Sequence, residues 1–256
     1  MSREDNPLTD PAAQILATDL DGTFIPLNQD PQNQADLKTL TAEFQSRNVS
    51  VVFVTGRHFA SVSQAIEEFQ LPIPQWIICD VGTSIFKRQT SGEFEPVAAY
   101  QDYQDQIIAS MPIEKLRELL QPISGLRLQE PEKQGRFKLS YYTDASLLEQ
   151  EVDRIQQLLD KTDAPYSIIH SVDPFNGDGL IDLLPATISK ALALEWWHKE
   201  NQLDPTSTVF SGDSGNDLAA LTAGYRTILV GNADRSLAQR VYNLHRQSGW
   251  DDRLFL

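Results

Sequence analysis

Short runs of apolar residues, each ending in polar or glycine-rich positions, recur along the chain. They cover residues 15–18, 49–55, 76–80, 208–212 and 227–231. Continuous apolar runs of this length are typical of strands buried on both faces of a parallel sheet. The segments between them repeat apolar residues at helical spacing, most clearly at Leu37, Leu40 and Phe44; Phe59, Val62, Ile66 and Phe69; Ile188, Leu192 and Trp196; and Leu218 and Leu221. The alternation predicts an α/β fold with helices on both faces of the sheet.

Residues 109–185 interrupt this alternation. Amphipathic helices are predicted near residues 113–120 and 147–159, among strand-like pieces at 126–128, 137–142, 166–169 and 179–184. We therefore predict an inserted α+β domain at 109–185 and a core domain formed by 1–108 and 186–256. Residues 1–12 are polar and contain two prolines, so we predict that they are disordered.

The charge balance limits the classes of partner. The 256 residues include 36 Asp and Glu against 21 Lys and Arg, which gives a net charge of −15. Such a chain repels polyanions at long range, so nucleic acid is not an expected partner. A small anionic substrate can still bind where cations and backbone N–H groups override the overall field. A site for such a substrate must contain a local cationic cluster.

The remaining composition favours an intracellular globular protein. Cys79 is the only cysteine, and its apolar neighbours predict a buried structural thiol. The N-terminus lacks an apolar signal-like segment, and no apolar run approaches the roughly 20 residues of a membrane span. We expect a cytoplasmic monomer without a membrane partner.

Two predicted neighbouring strands end in residues suited to phosphate chemistry. After the first run comes DLDGT, in which Asp19 and Asp21 stand two positions apart before a glycine that permits a sharp turn. In isolation, an ordinary Asp-Gly turn explains this pair as well. The second run ends in Thr55, Gly56 and Arg57 just before a helix, and a hydroxyl with free N–H groups at a helix start suits an anion.

Two later segments add a cation and further carboxylates. Lys190 opens a predicted helix, where it is either a solvated lysine or a phosphate clamp, and spacing alone leaves both open. Another predicted strand ends in GDSGND, which contains Asp213, Asn216 and Asp217. Clustered carboxylates at a strand end suit Mg²⁺, which prefers oxygen ligands. A helix cap alone would not need three such residues within five positions.

Together these four segments resemble, in order and context, the motifs of haloacid-dehalogenase (HAD) phosphatases. The resemblance covers the chain after about residue 14. The sequences ICDVGTSIF at 78–86, KLSYY at 138–142 and GDSGND at 212–217 are similar to the sucrose-phosphatase-like group. This resemblance implies an α/β, Rossmann-like parallel-sheet core with an inserted α+β cap domain of the C2 type.

The resemblance also implies a Mg²⁺-dependent phosphomonoesterase. Asp19 would attack phosphorus, and Asp21 would act as general acid and base. Mg²⁺ would be bound by the carboxylates of Asp19 and Asp213 and the backbone carbonyl of Asp21. The implied phosphate-binding residues are Thr55, Gly56, Arg57, Lys190 and Asn216, and Asp217 would support the metal or the lysine.

The sugar is expected to be recognised by the cap. Alternate residues of a strand share a face, so Lys138, Ser140 and Tyr142 form a polar set. We expect Lys138 and Tyr142 to face the sugar.

Sucrose 6-phosphate or a related glycoside phosphate is the expected substrate. A sugar phosphomutase and a catalytically silent sugar-phosphate-binding module remain alternatives. Residues 173–179 are predicted to form a hairpin turn, and residues 250–256 receive no predicted role.

Overall fold

Two β-sheets organise the described residues, 14–26, 31–173 and 176–256, of this computed structural model. The strands are β1 (Ile15–Thr18), β2 (Ser50–Val54), β3 (Trp76–Cys79), β4 (Ser84–Arg88), β5 (Phe94–Pro96), β6 (Arg127–Leu128), β7 (Leu139–Thr143), β8 (Tyr166–Val172), β9 (Gly179–Pro185), β10 (Thr208–Gly212), β11 (Arg226–Leu229) and β12 (Leu254–Phe255). The helices are α1 (Pro31–Arg47), α2 (Phe59–Glu68), α3 (Ala98–Ile107), α4 (Ile113–Leu120), α5 (Leu148–Thr162), α6 (Lys190–Glu200), α7 (Leu218–Leu221) and α8 (Arg235–Gln247). The predicted disordered lead-in, residues 1–12, lies outside the described residues.

The larger sheet has the strand order β12-β11-β10-β1-β2-β3-β4-β5. The strands from β12 to β3 run parallel, which confirms the predicted α/β fold. The strands β4 and β5 extend the sheet in antiparallel fashion and were not predicted from the sequence. The turn between β3 and β4 is a 3-10 helix at Asp80–Gly82, which allows the immediate reversal of the chain.

Apolar side chains cover both faces of the larger sheet. Ala17 and Val52 pack on one face in a cluster with Trp197 of α6, while Leu16 and Phe53 pack on the other face in a second cluster. Successive strand residues point to opposite faces, so two covered faces require continuous apolar runs. This is the physical reason that the strands could be recognised in the sequence.

The smaller sheet is antiparallel, with the order β6-β7-β9-β8. One face carries Leu139 and Ile181, which pack with Leu116 of α4 and Ile155 of α5. The predicted helices at 113–120 and 147–159 are therefore confirmed, with α5 shifted by a few residues. The division at residues 108–109 and 185–186 remains a prediction.

The opposite face of the smaller sheet turns toward the larger one. Ile169 and Leu184 of this sheet belong to the apolar cluster of the larger unit. Ser140 and Asp182 are paired across β7 and β9, and Asp182 pairs in turn with Ile169, so all three residues share that face. The polar set predicted from the sequence is thus on the side nearest the larger sheet.

The connection between β8 and β9 and the C-terminal segment both make contacts that explain their place in the fold. Between β8 and β9, the Asp173 N–H donates to the Asp178 carbonyl at 2.8 Å, as expected of the predicted hairpin turn, of which residues 174 and 175 lie outside the described residues. At the C-terminus, the Trp250 ring covers Gly224, and the Arg253 guanidinium donates to the Gly224 carbonyl at 2.8 Å. Among the described helices, none combines the length and apolar character needed to cross a lipid bilayer.

Candidate active site

The carboxyl ends of β1, β2 and β10 lie side by side at the centre of the larger sheet. Thr18 at the end of β1 is in register with Phe53 of β2 and Ser211 of β10. The Ser211 hydroxyl also donates to the Thr18 hydroxyl at 2.7 Å, deep in the interior. The segments that follow these strands, which contain Asp19, Thr55 and Asp213, are therefore brought to one edge.

Lys190 is the buried cation at this edge. Its Nζ donates to Asp19 Oδ1 and to Asp217 Oδ1, both at 2.8 Å. Lys190 is 1% exposed, Asp217 is 0% exposed and Asp19 is 5% exposed. The lysine begins α6 directly after Ser189, whose hydroxyl accepts from the Leu192 N–H and caps the helix. The interpretation of Lys190 as a solvated lysine is excluded.

The site holds more negative than positive charge. Burial raises the pKa of Asp19 to about 7, although the ammonium of Lys190 opposes this shift. Burial alone would lower the pKa of Lys190, but the carboxylates of Asp19 and Asp217 raise it above its ordinary value. Burial, and then the charge of Asp217, also raises the pKa of Asp213. Three carboxylates around one ammonium leave an excess of negative charge that a further cation would neutralise.

The donor set at this edge fits a hard divalent cation. Carboxylate oxygens of Asp19, Asp213 and Asp217 all lie within 4.8 Å of one another. Asp217, however, has both oxygens engaged, since Oδ1 binds Lys190 and Oδ2 accepts from the N–H groups of Asp213 and Ser214. Asp217 is also fully enclosed, at 0% exposure, whereas Asp213 is partly exposed. Asp19 and Asp213 could therefore hold a cation and Asp217 could support them, which are the roles that the family resemblance implies.

Asp213 is oriented by two residues that the sequence analysis did not identify. The Thr23 hydroxyl donates to Oδ1 at 3.1 Å, and the Asn232 amide donates to Oδ2 at 3.0 Å. A side chain at Gly22, where φ is +79°, would collide with the Asp213 carboxylate. Asn232 follows β11, another parallel strand that ends at the same edge, and this position was the signal that could have identified it.

Asp21 and Arg57 form a bidentate ion pair. The Arg57 Nε and Nη2 atoms donate to the two carboxylate oxygens of Asp21, each at 2.7 Å. Arg57 is predicted to bind phosphate, and in the structure its guanidinium binds the predicted acid and base, Asp21. The Asp21 side chain is 48% exposed, so a substrate can still reach its carboxylate.

The other predicted phosphate-binding residues differ in exposure. Thr55 is buried, and its hydroxyl accepts from the Arg57 N–H at 3.2 Å. Gly56 follows at the end of β2, where an added Cβ would meet only Val81, at 3.9 Å. Asn216 is exposed, and its side-chain oxygen accepts from the Ser214 hydroxyl at 3.1 Å.

The two predicted sugar-binding residues have protein partners. Lys138 Nζ lies 3.0 Å from Asp80 Oδ1 of the larger unit, so its amine is already paired. The Tyr142 hydroxyl accepts from Lys133 at 2.6 Å and donates to Glu130 at 2.9 Å. Tyr142 lies two positions from Ser140 on β7 and shares its face, on the side of the larger unit.

Known proteins resemble this chain over most of its length. The family model for sucrose-6F-phosphate phosphohydrolase matches residues 12–255. A HAD-like hydrolase of Nitrosococcus oceani is 37% identical over 88% of this chain, which spans 61% of that relative. Mannosylfructose-phosphate phosphatase of Agrobacterium fabrum is 30% identical over 86% of this chain and 84% of its own length.

A solved structure extends the similarity to three dimensions. The sucrose-phosphatase of Synechocystis sp. PCC6803, in complex with sucrose and phosphate, superposes with a TM-score of 0.73 at 26% identity. The match covers 95% of this chain and 91% of that one. The predicted family resemblance is thereby confirmed. Because the family match runs through all four motif segments, from Asp19 to Asp217, the chain belongs to the sucrose-6F-phosphate phosphohydrolase family of HAD phosphatases.

Proposed function

We propose that the protein is a Mg²⁺-dependent phosphatase that hydrolyses a sugar phosphate, with sucrose 6-phosphate or a related glycoside phosphate as substrate. The observation that carries the proposal is Lys190, a buried ammonium held between Asp19 and Asp217. Lys190 supplies one positive charge at the site, and Mg²⁺ bound by the carboxylates would add the further positive charge that a phosphate group needs in a chain of net charge −15. Relatives named for mannosylfructose phosphate and sucrose support this substrate class.

Asp19 is the nucleophile in this proposal. One carboxylate oxygen forms a bond to phosphorus as the bond from phosphorus to the sugar oxygen breaks, which gives an aspartyl-phosphate. Water then attacks phosphorus and releases inorganic phosphate, restoring the carboxylate. Lys190 orients Asp19 through the hydrogen bond at 2.8 Å and offsets charge on the phosphoryl group. Asp19 and Asp213 would hold Mg²⁺, which supplies neutralisation of the negative charges that otherwise repel each other.

Asp21 serves both halves of the reaction. Its carboxyl group gives a proton to the departing sugar oxygen and later takes one from the attacking water. The bidentate pair with Arg57 holds this carboxylate in one orientation while leaving it partly exposed toward the substrate. The hydroxyl of Thr55, the N–H of Gly56 and the amide of Asn216 complete the proposed phosphate contacts.

Sugar recognition is proposed to come from residues 109–185 acting as a cap domain. The face with Ser140, Tyr142 and Asp182 is polar and lies toward the larger unit. Tyr142 presents a ring and a hydroxyl, which suit packing and hydrogen bonding to a pyranose. We keep Tyr142 as a sugar-binding residue. Lys138 is paired with Asp80, so we do not keep it as a sugar-binding residue.

The decisive experiment measures phosphate release from a panel of sugar phosphates. The panel contains sucrose 6-phosphate, mannosylfructose phosphate, glucosylglycerol phosphate and glucose 6-phosphate, each with Mg²⁺ present. We expect phosphate release from at least one glycoside phosphate, with kcat/KM above that for p-nitrophenyl phosphate. Conversion to an isomeric sugar phosphate without release would instead identify a mutase. Binding without any turnover would identify a silent binding module.

A further inference from the structure

An ion pair joins the smaller sheet to the larger unit close to the proposed phosphate site. Lys138 Nζ lies 3.0 Å from Asp80 Oδ1, and the two side chains are 6% and 16% exposed. Lys138 directly precedes β7, whereas Asp80 directly follows β3. A nearly buried pair of this kind depends strongly on both members, because either charge is costly to bury alone.

Asp80 begins a turn whose backbone is hydrogen-bonded to residues 55–57. The Asp80 N–H donates to the Arg57 carbonyl at 2.8 Å, and the Val81 N–H donates to the Thr55 carbonyl at 3.2 Å. A Cβ added at Gly56 would lie 3.9 Å from the Val81 side chain. Both ends of the proposed phosphate-binding segment are thus fixed by hydrogen bonds from one turn.

The turn has an uncommon backbone conformation. Asp80 and Val81 have φ values of +52° and +59°, and a β-branched residue is rarely found there. Such a conformation persists only where its surroundings enforce it. Part of that support comes from α3, since the Tyr100 hydroxyl donates to the Gly82 carbonyl at 2.6 Å.

On the Asp80 side, the ammonium of Lys138 pairs with one carboxylate oxygen, and the Cys79 thiol donates to the other at 3.8 Å. The Thr83 hydroxyl also donates to the Asp80 carbonyl at 3.0 Å. Lys138 is the charged partner among these contacts and comes from the smaller sheet.

We propose that Lys138 and Asp80 are positioning residues which set the affinity of residues 55–57 for phosphate, although neither touches phosphate. The ion pair fixes the Asp80 carboxylate, the carboxylate fixes the turn, and the turn aligns the backbone that receives the anion. Phosphate affinity therefore depends on a residue of the smaller sheet. The inference rests on the proposed function, since it assumes that residues 55–57 bind phosphate.

The test measures binding of inorganic phosphate to the full chain by calorimetry with Mg²⁺, alongside hydrolysis of p-nitrophenyl phosphate and of the sugar phosphate that the wild type hydrolyses best. Lys138→Met removes the charge but keeps the length of the side chain. Asp80→Asn removes the opposite charge and keeps a residue type that tolerates positive φ. Because p-nitrophenyl phosphate has no sugar hydroxyls, lost sugar contacts cannot account for a change.

We expect each variant to raise the Kd for phosphate and the KM for p-nitrophenyl phosphate about tenfold, within the usual range of coupling between sites. The value of kcat should fall less than KM rises. The double variant should be no weaker than either single variant, because both break the same contact. Lys138→Arg should recover most of the affinity. If Lys138→Met does not fold, Asp80→Asn carries the same test.

Arg154→Met is the matched control. Arg154 pairs with the buried carboxylate of Glu151 at 2.9 Å on α5, whose apolar side packs on the opposite face of the smaller sheet. Its removal also strands a buried charge in this unit, but away from Asp80. The melting temperature of each variant measures its loss of stability, so that loss can be compared with the change in phosphate affinity. We expect Arg154→Met to bind phosphate as the wild type does.

Three results would overturn the inference. The first is wild-type phosphate affinity in Lys138→Met and Asp80→Asn. The second is a loss confined to sugar phosphates, which would make Lys138 a sugar contact. The third is an equal loss in Arg154→Met, which would indicate general destabilisation. A wild-type protein that neither binds phosphate nor hydrolyses esters would instead overturn the proposed function, and this inference with it.

Discussion

The guanidinium of Arg57 donates two hydrogen bonds of 2.7 Å to the carboxylate of Asp21. Planar bidentate pairing of this kind fixes direction as well as distance. It therefore determines where the proposed acid and base stands relative to the nucleophile. The pair also explains why Arg57 need not contact phosphate itself to matter for turnover.

Arg57→Met should lower kcat/KM for a sugar phosphate about tenfold, because Asp21 loses its fixed orientation. Arg57→Lys should recover only part of the loss, since an ammonium cannot form the bidentate pair. Steady-state kinetics in a double-mutant cycle test whether Arg57 acts through Asp21. In an Asp21→Asn background, Arg57→Met should change little. A full additional loss there would show that Arg57 acts directly on the substrate.

Asp19→Asn should reduce turnover at least about a thousandfold, because an amide cannot form the aspartyl-phosphate. Binding of the substrate should persist, since Lys190 keeps its second partner, Asp217, at 2.8 Å. Calorimetry with the intact sugar phosphate measures the retained affinity, and phosphate release measures the loss. Substantial residual hydrolysis would refute Asp19 as the nucleophile.

Mg²⁺ should raise the melting temperature, and chelation should abolish hydrolysis. Burial raises the pKa of Asp19 to about 7, so a proton competes with the metal below that pH. The Mg²⁺-induced stabilisation should therefore grow as the pH rises from 5 toward 7 and then level off. Thermal melts with and without Mg²⁺ at each pH measure this. Asp213→Asn should remove most of the shift, and a shift independent of pH would contradict the assignment.

His198 should make stability depend on pH away from the site. It is buried, and its ring nitrogens contact the Leu194 carbonyl and the Thr208 hydroxyl, both at 2.8 Å. Burial lowers the pKa of His198 below 6.5, although the hydrogen bond to Leu194 opposes the shift. The unfolded chain thus binds the proton more readily, so the contribution to stability is complete above pH 6.5 and is lost as the pH falls.

His198→Gln should reduce this dependence. The comparison is the free energy of unfolding in urea between pH 5 and pH 7.5 for both proteins. The wild type should lose more stability than the variant on acidification. Parallel curves for the two proteins would show that His198 does not cause the effect.

The central strands, and the site residues that follow them in the sequence, could be predicted for the same physical reason. A strand covered on both faces is continuously apolar, as in residues 15–18, and the next polar residues must then emerge at the sheet edge. Asp19, Thr55 and Asp213 were found in this way. The strands β4 and β5 were not predicted because they are only partly buried, so they lack the continuous apolar run of the central strands.

Contacts between distant segments could not be predicted from spacing. Lys138 and Asp80 belong to different sheets, and their pairing depends on how the two units meet. The alternation along the strand correctly grouped Lys138 with the polar residues Ser140 and Tyr142. A pattern along one strand, however, does not indicate which residue of another segment will pair with Lys138. For the same reason Arg57 could be placed at the edge of the sheet, whereas its bidentate pairing with Asp21 could not be predicted.

The hydroxyl contact between Thr18 and Ser211 spans 193 positions along the chain. Thr18 lies in β1 near the start of the chain, whereas Ser211 lies in β10, and residues 109–185 stand between these two neighbouring strands in the sequence. Closing so long a loop is entropically costly, and folds dominated by distant contacts form slowly. Asp19 and Asp213 therefore meet only when β10 docks. During refolding, tight binding of Mg²⁺ should appear in the last kinetic phase, after the secondary structure has formed.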